Sequence, residues 1–318
     1  MALPKFVTIK EVGAREGMQI EKGPIATADK IRLVDMLSEC NFKKIEVTSF
    51  VSPKWVPQMA DADQVAAGFK RRPGTEYSCV FLNAKGLERA AATGKFDIRG
   101  NLYGTVSELF CKKNTNRTIE ETYVDLEERI GLFKSLKLPV ERVGVMAAWG
   151  CNYEGDIDPQ RVMTMITRLL EIAARNDVKI TGIALADTMG WATPVTIRRL
   201  VGMVQDRWPD KPVSLHLHDT RGLGIGNAFA AMELGVAEFD AAVGGLGGCP
   251  YGAFKGAAGN ISSEDLVHMC QEIGVETGVD LEKLVAAARE AEVIVGHPLP
   301  GKLIQGASLE SYRRKLAA

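Results

Sequence analysis

Two of the four histidines in the chain stand two residues apart, in His216-Leu217-His218-Asp219. In an extended strand residues i and i+2 share a face, so both imidazoles project the same way. Val213, Leu215 and Leu217 then turn to the opposite face. Two imidazoles on one face can ligate a metal, and added oxygen ligands suit a divalent cation. The alternative is a hydrogen-bonded interior pair, and adjacency at a strand end favours the metal. Glu16, in Gly13-Ala14-Arg15-Glu16-Gly17, could supply an anionic oxygen. Arg15 carries a permanent charge suited to a developing oxyanion or a substrate carboxylate, and an ordinary surface ion pair is the alternative.

Glu46 lies between Ile45 and Val47, in an otherwise apolar run where an unpaired carboxylate is costly. It reads as a base, or as an anchor for Arg15 or a lysine. Asp187 has the same two readings, and Thr188 after it can begin a turn. Cys249 stands among Gly244, Gly245, Gly247 and Gly248, a density that permits unusual dihedrals and a mobile cover over a site. Its thiol reads as a proton donor or acceptor, or as an inert small hydrophobe. The other five cysteines, His268 and His297 read as structural or surface residues. No nucleotide-binding glycine fingerprint is matched.

The elements that must position these residues alternate along the chain. Runs suited to strands fall at 6–12, 44–48, 77–82, 97–103, 140–147, 180–186, 213–218 and 239–243. Helical spacing of apolar residues occupies 27–39, 118–136, 159–175, 194–207 and 227–234. In the first of these Ile31, Val34, Met36 and Leu37 form the stripe. Asp158-Pro159 and Thr193-Pro194 read as helix starts, with proline at the first helical position. Eight strands alternating with helices predict an α/β protein, a (β/α)8 TIM barrel, which places chemistry at the C-terminal ends of its strands. An open doubly wound sheet is the runner-up. Strand four is interrupted by Gly100. The chain is expected to be one catalytic domain, 1–318, with the barrel at about 5–260 and a C-terminal helical appendage at about 261–318. That appendage holds helices at 263–272 and 281–295, then a proline-rich stretch at 297–300 and a tail.

Composition narrows the class. Of 318 residues 46% are hydrophobic and 25% charged, the profile of a globular protein with a substantial core. The net charge of −1 leaves no sequence-wide field to recruit nucleic acid or an anionic membrane. No apolar run of about 18 residues spans a bilayer, and residues 1–10 lack the apolar core of a secretion signal. Six scattered cysteines without a C-x-x-C pair argue for reduced thiols and a cytoplasmic location.

Several blocks resemble a known family: Val12-Gly13-Ala14-Arg15-Glu16-Gly17-Met18-Gln19, Ile45-Glu46-Val47-Thr48-Ser49-Phe50-Val51-Ser52-Pro53-Lys54-Trp55-Val56-Pro57-Gln58-Met59, Ser107-Glu108-Leu109-Phe110, Leu217-His218-Asp219-Thr220 and Gly245-Leu246-Gly247-Gly248-Cys249-Pro250-Tyr251. They are similar to 3-hydroxy-3-methylglutaryl-CoA lyase, one of the metal-dependent TIM-barrel lyases and Claisen-type synthases, over about Val7 to Val279. The resemblance implies retro-Claisen cleavage of a branched 3-hydroxyacyl-CoA to acetyl-CoA and a keto acid. It implies a divalent ion, magnesium or manganese, held by Glu16, His216, His218 and Asn260. Arg15 would stabilise the enolate, Cys249 and Glu46 would serve proton transfer or positioning, and Asp187 would support them. Gln19 and Lys22 are the candidates for holding the CoA part of the substrate. Two features depart from the family: Glu16 where aspartate is usual, and a segment from Cys249 to Asn260 about two residues longer. They keep citramalyl-CoA and a longer-branched glutaryl-CoA open as substrates. A related acetyl-CoA-condensing synthase and a CoA-ester-binding barrel without turnover also stay open. The expected partner is an acyl-CoA, with no nucleic acid and no membrane; a homodimer is left open.

Overall fold

A computed structural model describes residues 3–248, 258–306 and 308–317. Its sheet is formed by β1 (Thr8–Glu11), β2 (Lys44–Ser49), β3 (Glu76–Val80), β4 (Gly100–Thr105), β5 (Val140–Met146), β6 (Gly182–Ala186), β7 (Val213–His216) and β8 (Glu238–Ala241). All eight coincide with runs read from the sequence. Their hydrogen-bonded order is β3-β2-β1-β8-β7-β6-β5-β4, which is chain order cut once with β8 beside β1. Parallel neighbours need crossovers, and helices supply them. These are α1 (Met18–Ile20), α2 (Thr27–Glu39), α3 (Ala62–Gly68), α4 (Ala84–Ala92), α5 (Glu108–Thr115), α6 (Ile119–Ser135), α7 (Pro159–Arg175), α8 (Pro194–Arg207) and α9 (Gly224–Met232). After β8 come α10 (Ser263–Glu272), α11 (Leu281–Val295), α12 (Leu303–Gly306) and α13 (Leu309–Ala317). Among the described residues no helix is long and apolar enough to cross a membrane.

The chain divides into two compact units. One is built around Ile98–Phe239, and the other combines Lys5–Asp97, Asp240–Gly248 and Ala258–Ala318. In the first, the register Leu102↔Val143↔Ile183↔Val213 lines up one apolar row across four parallel strands. α7 buries Val162, Met165, Ile166, Leu169, Ile172 and Ala173, the spacing of an amphipathic helix. Asp158 caps it by accepting from the Gln160 N–H at 2.9 Å. Thr193 and Thr196 form a capping box at the start of α8. Gly100 does not interrupt β4 but begins it. A Cβ there would stand 2.8 Å from Val140 Cγ2 and 3.0 Å from the Phe133 ring, so only glycine lets the strand start against them.

In the second unit, α2 buries Leu33, Val34 and Leu37, while Ile31 and Met36 are half-buried. Leu33 thus belongs to the stripe. The segment after α11 is helical: the backbone N–H groups of Lys302 and Leu303 donate to Asp265 on α10, and Arg313 on α13 forms a two-bond pair with Glu272.

Candidate active site

β1 ends at Glu11 and runs into one turn of π-helix, Gly13–Gly17, which carries Arg15 and Glu16. Arg15 Nε donates to Glu46 Oε1 on β2 at 2.5 Å, and Nη2 is paired with both Glu46 and Glu16, the latter at 3.0 Å. Lys10 Nζ donates to the other Glu46 oxygen at 2.5 Å. Burial alone pushes the Glu46 carboxyl up. The charges of Arg15 and Lys10 and the bonds they donate outweigh it and hold the group down at about 2. A general base works best with a pKa near the ambient pH, so this carboxylate is a fixed anion that holds two cations. Of the two readings of Glu46, the geometry is that of the anchor, and Lys10 is the lysine.

The glycine loop packs directly on the π-turn. Gly244 (φ +66°) leaves room for Leu299, whose Cδ1 would meet an added Cβ at 2.4 Å. At Gly247 (φ +92°) a Cβ would stand 2.7 Å from Asn260 Nδ2 and 3.1 Å from Gly17 N. Close approach, as well as dihedral freedom, therefore accounts for these glycines. Asn260 is buried, and its Nδ2 donates to Glu16 Oε1 at 3.2 Å and to the Leu246 carbonyl at 2.9 Å. Its Oδ1 is buried with no hydrogen-bond partner among the described residues, a costly state for an amide oxygen. Cys249 lies outside the described residues.

Two buried carboxyl groups behind the loop were not singled out in the sequence. Glu11 Oε1 accepts from Gly13 N at 2.7 Å and from Val243 N at 2.9 Å, and Oε2 accepts from Ser263 Oγ at 2.5 Å. Glu264 accepts from Gly244 N at 3.0 Å. Burial pushes the two up, to about 7 and about 8 respectively, against the hydrogen bonds that favour their ionised forms. The signal that marked Glu46, an acid inside an apolar run, applies equally to Glu11 in Ile9-Lys10-Glu11-Val12.

In the other unit Ser214, His216 and His218 share a face, while Val213, Leu215 and Leu217 are buried on the opposite one. The two imidazole Nε2 atoms face each other at 3.0 Å, with the ring planes at 63°. β7 ends at His216, and His218 follows as an isolated bridge. Asp187, at the end of β6, donates its N–H to the His216 carbonyl at 2.8 Å. Its buried carboxylate accepts from Trp191 N at 2.7 Å and Ala192 N at 3.1 Å. Burial raises its pKa, and those two bonds oppose the rise. The carboxylate thus closes the turn after β6, while Thr188 Oγ1 accepts from Ala147 N at 2.9 Å. Gln19 is half-buried in α1 and Lys22 is exposed beyond it. His297 is exposed and pairs with Glu21 at 3.0 Å.

The donor types are those that a divalent cation takes: in one unit two facing imidazole nitrogens, and in the other a carboxylate beside a buried amide oxygen.

Residues 6–290 match the family model described as HMGL-like. The chain belongs to this family. It is 42% identical over 285 residues to the mitochondrial hydroxymethylglutaryl-CoA lyase of Mus musculus, covering 90% of this chain and 84% of that one. To the cytoplasmic 3-hydroxy-3-methylglutaryl-CoA lyase of Rattus norvegicus it is 41% identical over 285 residues, 90% of this chain and 80% of that one. Among solved structures, an HMG-CoA lyase from Acinetobacter baumannii in complex with coenzyme A and 3-methylmalate superposes with a TM-score of 0.86 at 35% identity, covering 97% of each chain. The architecture expected of this HMGL-like chain, a (β/α)8 TIM barrel with additional C-terminal helices, is borne out.

Proposed function

We propose that the protein is a carbon–carbon lyase that cleaves 3-hydroxy-3-methylglutaryl-CoA, or a close branched analogue, to acetyl-CoA and a keto acid. The observation that carries this reading is the partly buried Lys10–Glu46–Arg15 arrangement, together with Glu16 and an Asn260 oxygen that has no partner among the described residues, in a chain of the HMGL-like family. Glu16, His216, His218 and Asn260 would hold magnesium or manganese. The first three are a group of acidic and imidazole side chains able to hold a metal ion. When bound, the ion supplies Lewis-acid polarisation of the substrate's tertiary hydroxyl.

The residues then divide the work. A base removes the hydroxyl proton, the oxygen becomes the ketone, and the electron pair of the breaking carbon–carbon bond passes to the thioester as an enolate. Arg15 stabilises that enolate: Glu46 holds its Nε and Nη2, while Nη1 takes part in none of these bonds. Protonation of the enolate carbon completes acetyl-CoA, and Cys249 is the proposed proton carrier. Glu46 serves by position, Asp187 by shaping the turn beside His216, and Gln19 and Lys22 by meeting the CoA part.

We read the chain as one catalytic domain working in the cytoplasm, in keeping with free cysteines at 40, 79, 111, 151 and 270. Light scattering decides whether it forms a homodimer. The deciding experiment incubates metal-loaded protein with a panel of branched hydroxyacyl-CoA thioesters, including citramalyl-CoA, and follows acetyl-CoA release. Cleavage of 3-hydroxy-3-methylglutaryl-CoA is expected. Folded, metal-bound protein that cleaves none of them overturns the reading. Thiol release from acetyl-CoA and a 2-oxo acid would mark a synthase instead, and binding without turnover, restored by Glu16→Asp, a misplaced ion.

A further inference from the structure

Glu11 is fully buried and is spent on three donors from three segments. Gly13 N opens the turn that carries Arg15 and Glu16, Val243 N opens the glycine loop, and Ser263 Oγ belongs to the first turn of α10. Each contact lies three residues from a part of the site: Gly13 from Glu16, Val243 from Leu246, and Ser263 from Asn260. Leu246 supplies the carbonyl that holds Asn260 Nδ2, and Asn260 in turn touches Glu16 at 3.2 Å. The spacing leaves no slack, since a Cβ on Gly13 would stand 2.8 Å from Glu11 Oε1 and 2.9 Å from Val243 Cγ1.

We infer that Glu11 is a positioning residue for the reaction, its carboxylate fixing the π-turn against the glycine loop and α10 so that Glu16 and Asn260 present their oxygens to one cation. The inference rests on the lyase reading for what the site does, but it concerns an arrangement that exists before any ligand binds. Glu11 touches neither ligand side chain and acts through the backbone amides.

Loss of an outer partner of a metal ligand typically costs about 10- to 100-fold in affinity or activity. Glu11→Ala, shown folded by circular dichroism, should therefore weaken manganese binding at least about 10-fold in calorimetry. In the metal-free protein, hydrogen exchange in peptides covering 12–18 and 243–247 should speed up by a similar factor, with other segments unchanged. Glu11→Gln keeps one oxygen able to accept both amides, so it should restore manganese affinity to within about threefold of the parent. If Glu11→Ala does not fold, Ser263→Ala removes only the third contact and should shift affinity and exchange in the same direction. A folded Glu11→Ala or Ser263→Ala protein with parental manganese affinity and parental exchange at both segments overturns the inference. So does a Glu11→Gln protein as impaired as Glu11→Ala, because a geometric role cannot need the charge. Failure of the lyase reading looks different: the parent cleaves no thioester, while these affinity and exchange differences still appear.

Discussion

Replacing Glu46 with glutamine takes away the anion that Lys10 and Arg15 share and leaves a neutral amide between them in a partly buried site. The side chains of Lys10, Arg15 and Glu46 are 24%, 17% and 7% exposed, so solvent screens the set only weakly. The gap between the ordinary 4.5 of a glutamate and about 2 in the fold corresponds to about 3 kcal/mol of preference for the ionised form. Breaking a buried ion pair by removing one partner costs about 3 to 5 kcal/mol in general, in line with that figure. Urea unfolding at pH 7 should therefore show Glu46→Gln to be about 3 kcal/mol less stable than the parent.

The pH dependence has a definite sign. Between 4.5 and about 2 the unfolded chain protonates this group and the folded one does not. Its contribution is complete above about 4.5 and drains away as the pH falls towards 2, and the glutamine variant lacks that part of the acid sensitivity. Adding Lys10→Met to Glu46→Gln should cost less than Lys10→Met in the parent, because the attraction between the two charges is already gone. Loss of under about 1 kcal/mol in Glu46→Gln, or additivity of the two changes within about 0.5 kcal/mol, would refute the buried-anchor reasoning.

His216→Ala and His218→Ala should each lower manganese content measured by mass spectrometry, whereas Cys249→Ala should keep the metal and lose turnover; equal metal loss in all three contradicts the proposed roles. Gly244→Ala forces a side chain onto a left-handed backbone against Leu299 and should cost about 2 kcal/mol or more in urea unfolding, with no loss disproving the close packing. Lys22→Glu should raise KM for the thioester several-fold with kcat little changed, and an unaltered KM ends the case for contact with the CoA phosphates.

Periodicity made most of the frame legible. A two-residue repeat placed His216 and His218 on one face, and proline with a preceding cap marked the starts of α7 and α8 to the residue. Short helices such as α3, α4 and α5 escaped because seven to nine residues show too few turns for a stripe to stand out. At the site, residue chemistry was readable but partnership was not. Glu46 was recognisable as a costly acid, yet only the fold decides that Arg15 and Lys10 both reach it. Glu11 passed unnoticed because two of its three partners are peptide groups, which every residue carries and no composition reveals. Asp187 kept its two readings for the same reason, until its oxygens met the amides of Trp191 and Ala192.

The order in which the polypeptide is made bears on the contacts of Glu11. It is made 232 and 252 positions before Val243 and Ser263. Leu299, which covers Gly244, comes later still. Closing loops that long is slow, so β1 must wait with an acid that has nowhere dry to go until those positions have been made. Nascent chains stalled before residue 243 should therefore hold no ion however well the helices before it have formed, and catalytic competence should not precede the arrival of Val243 and Ser263.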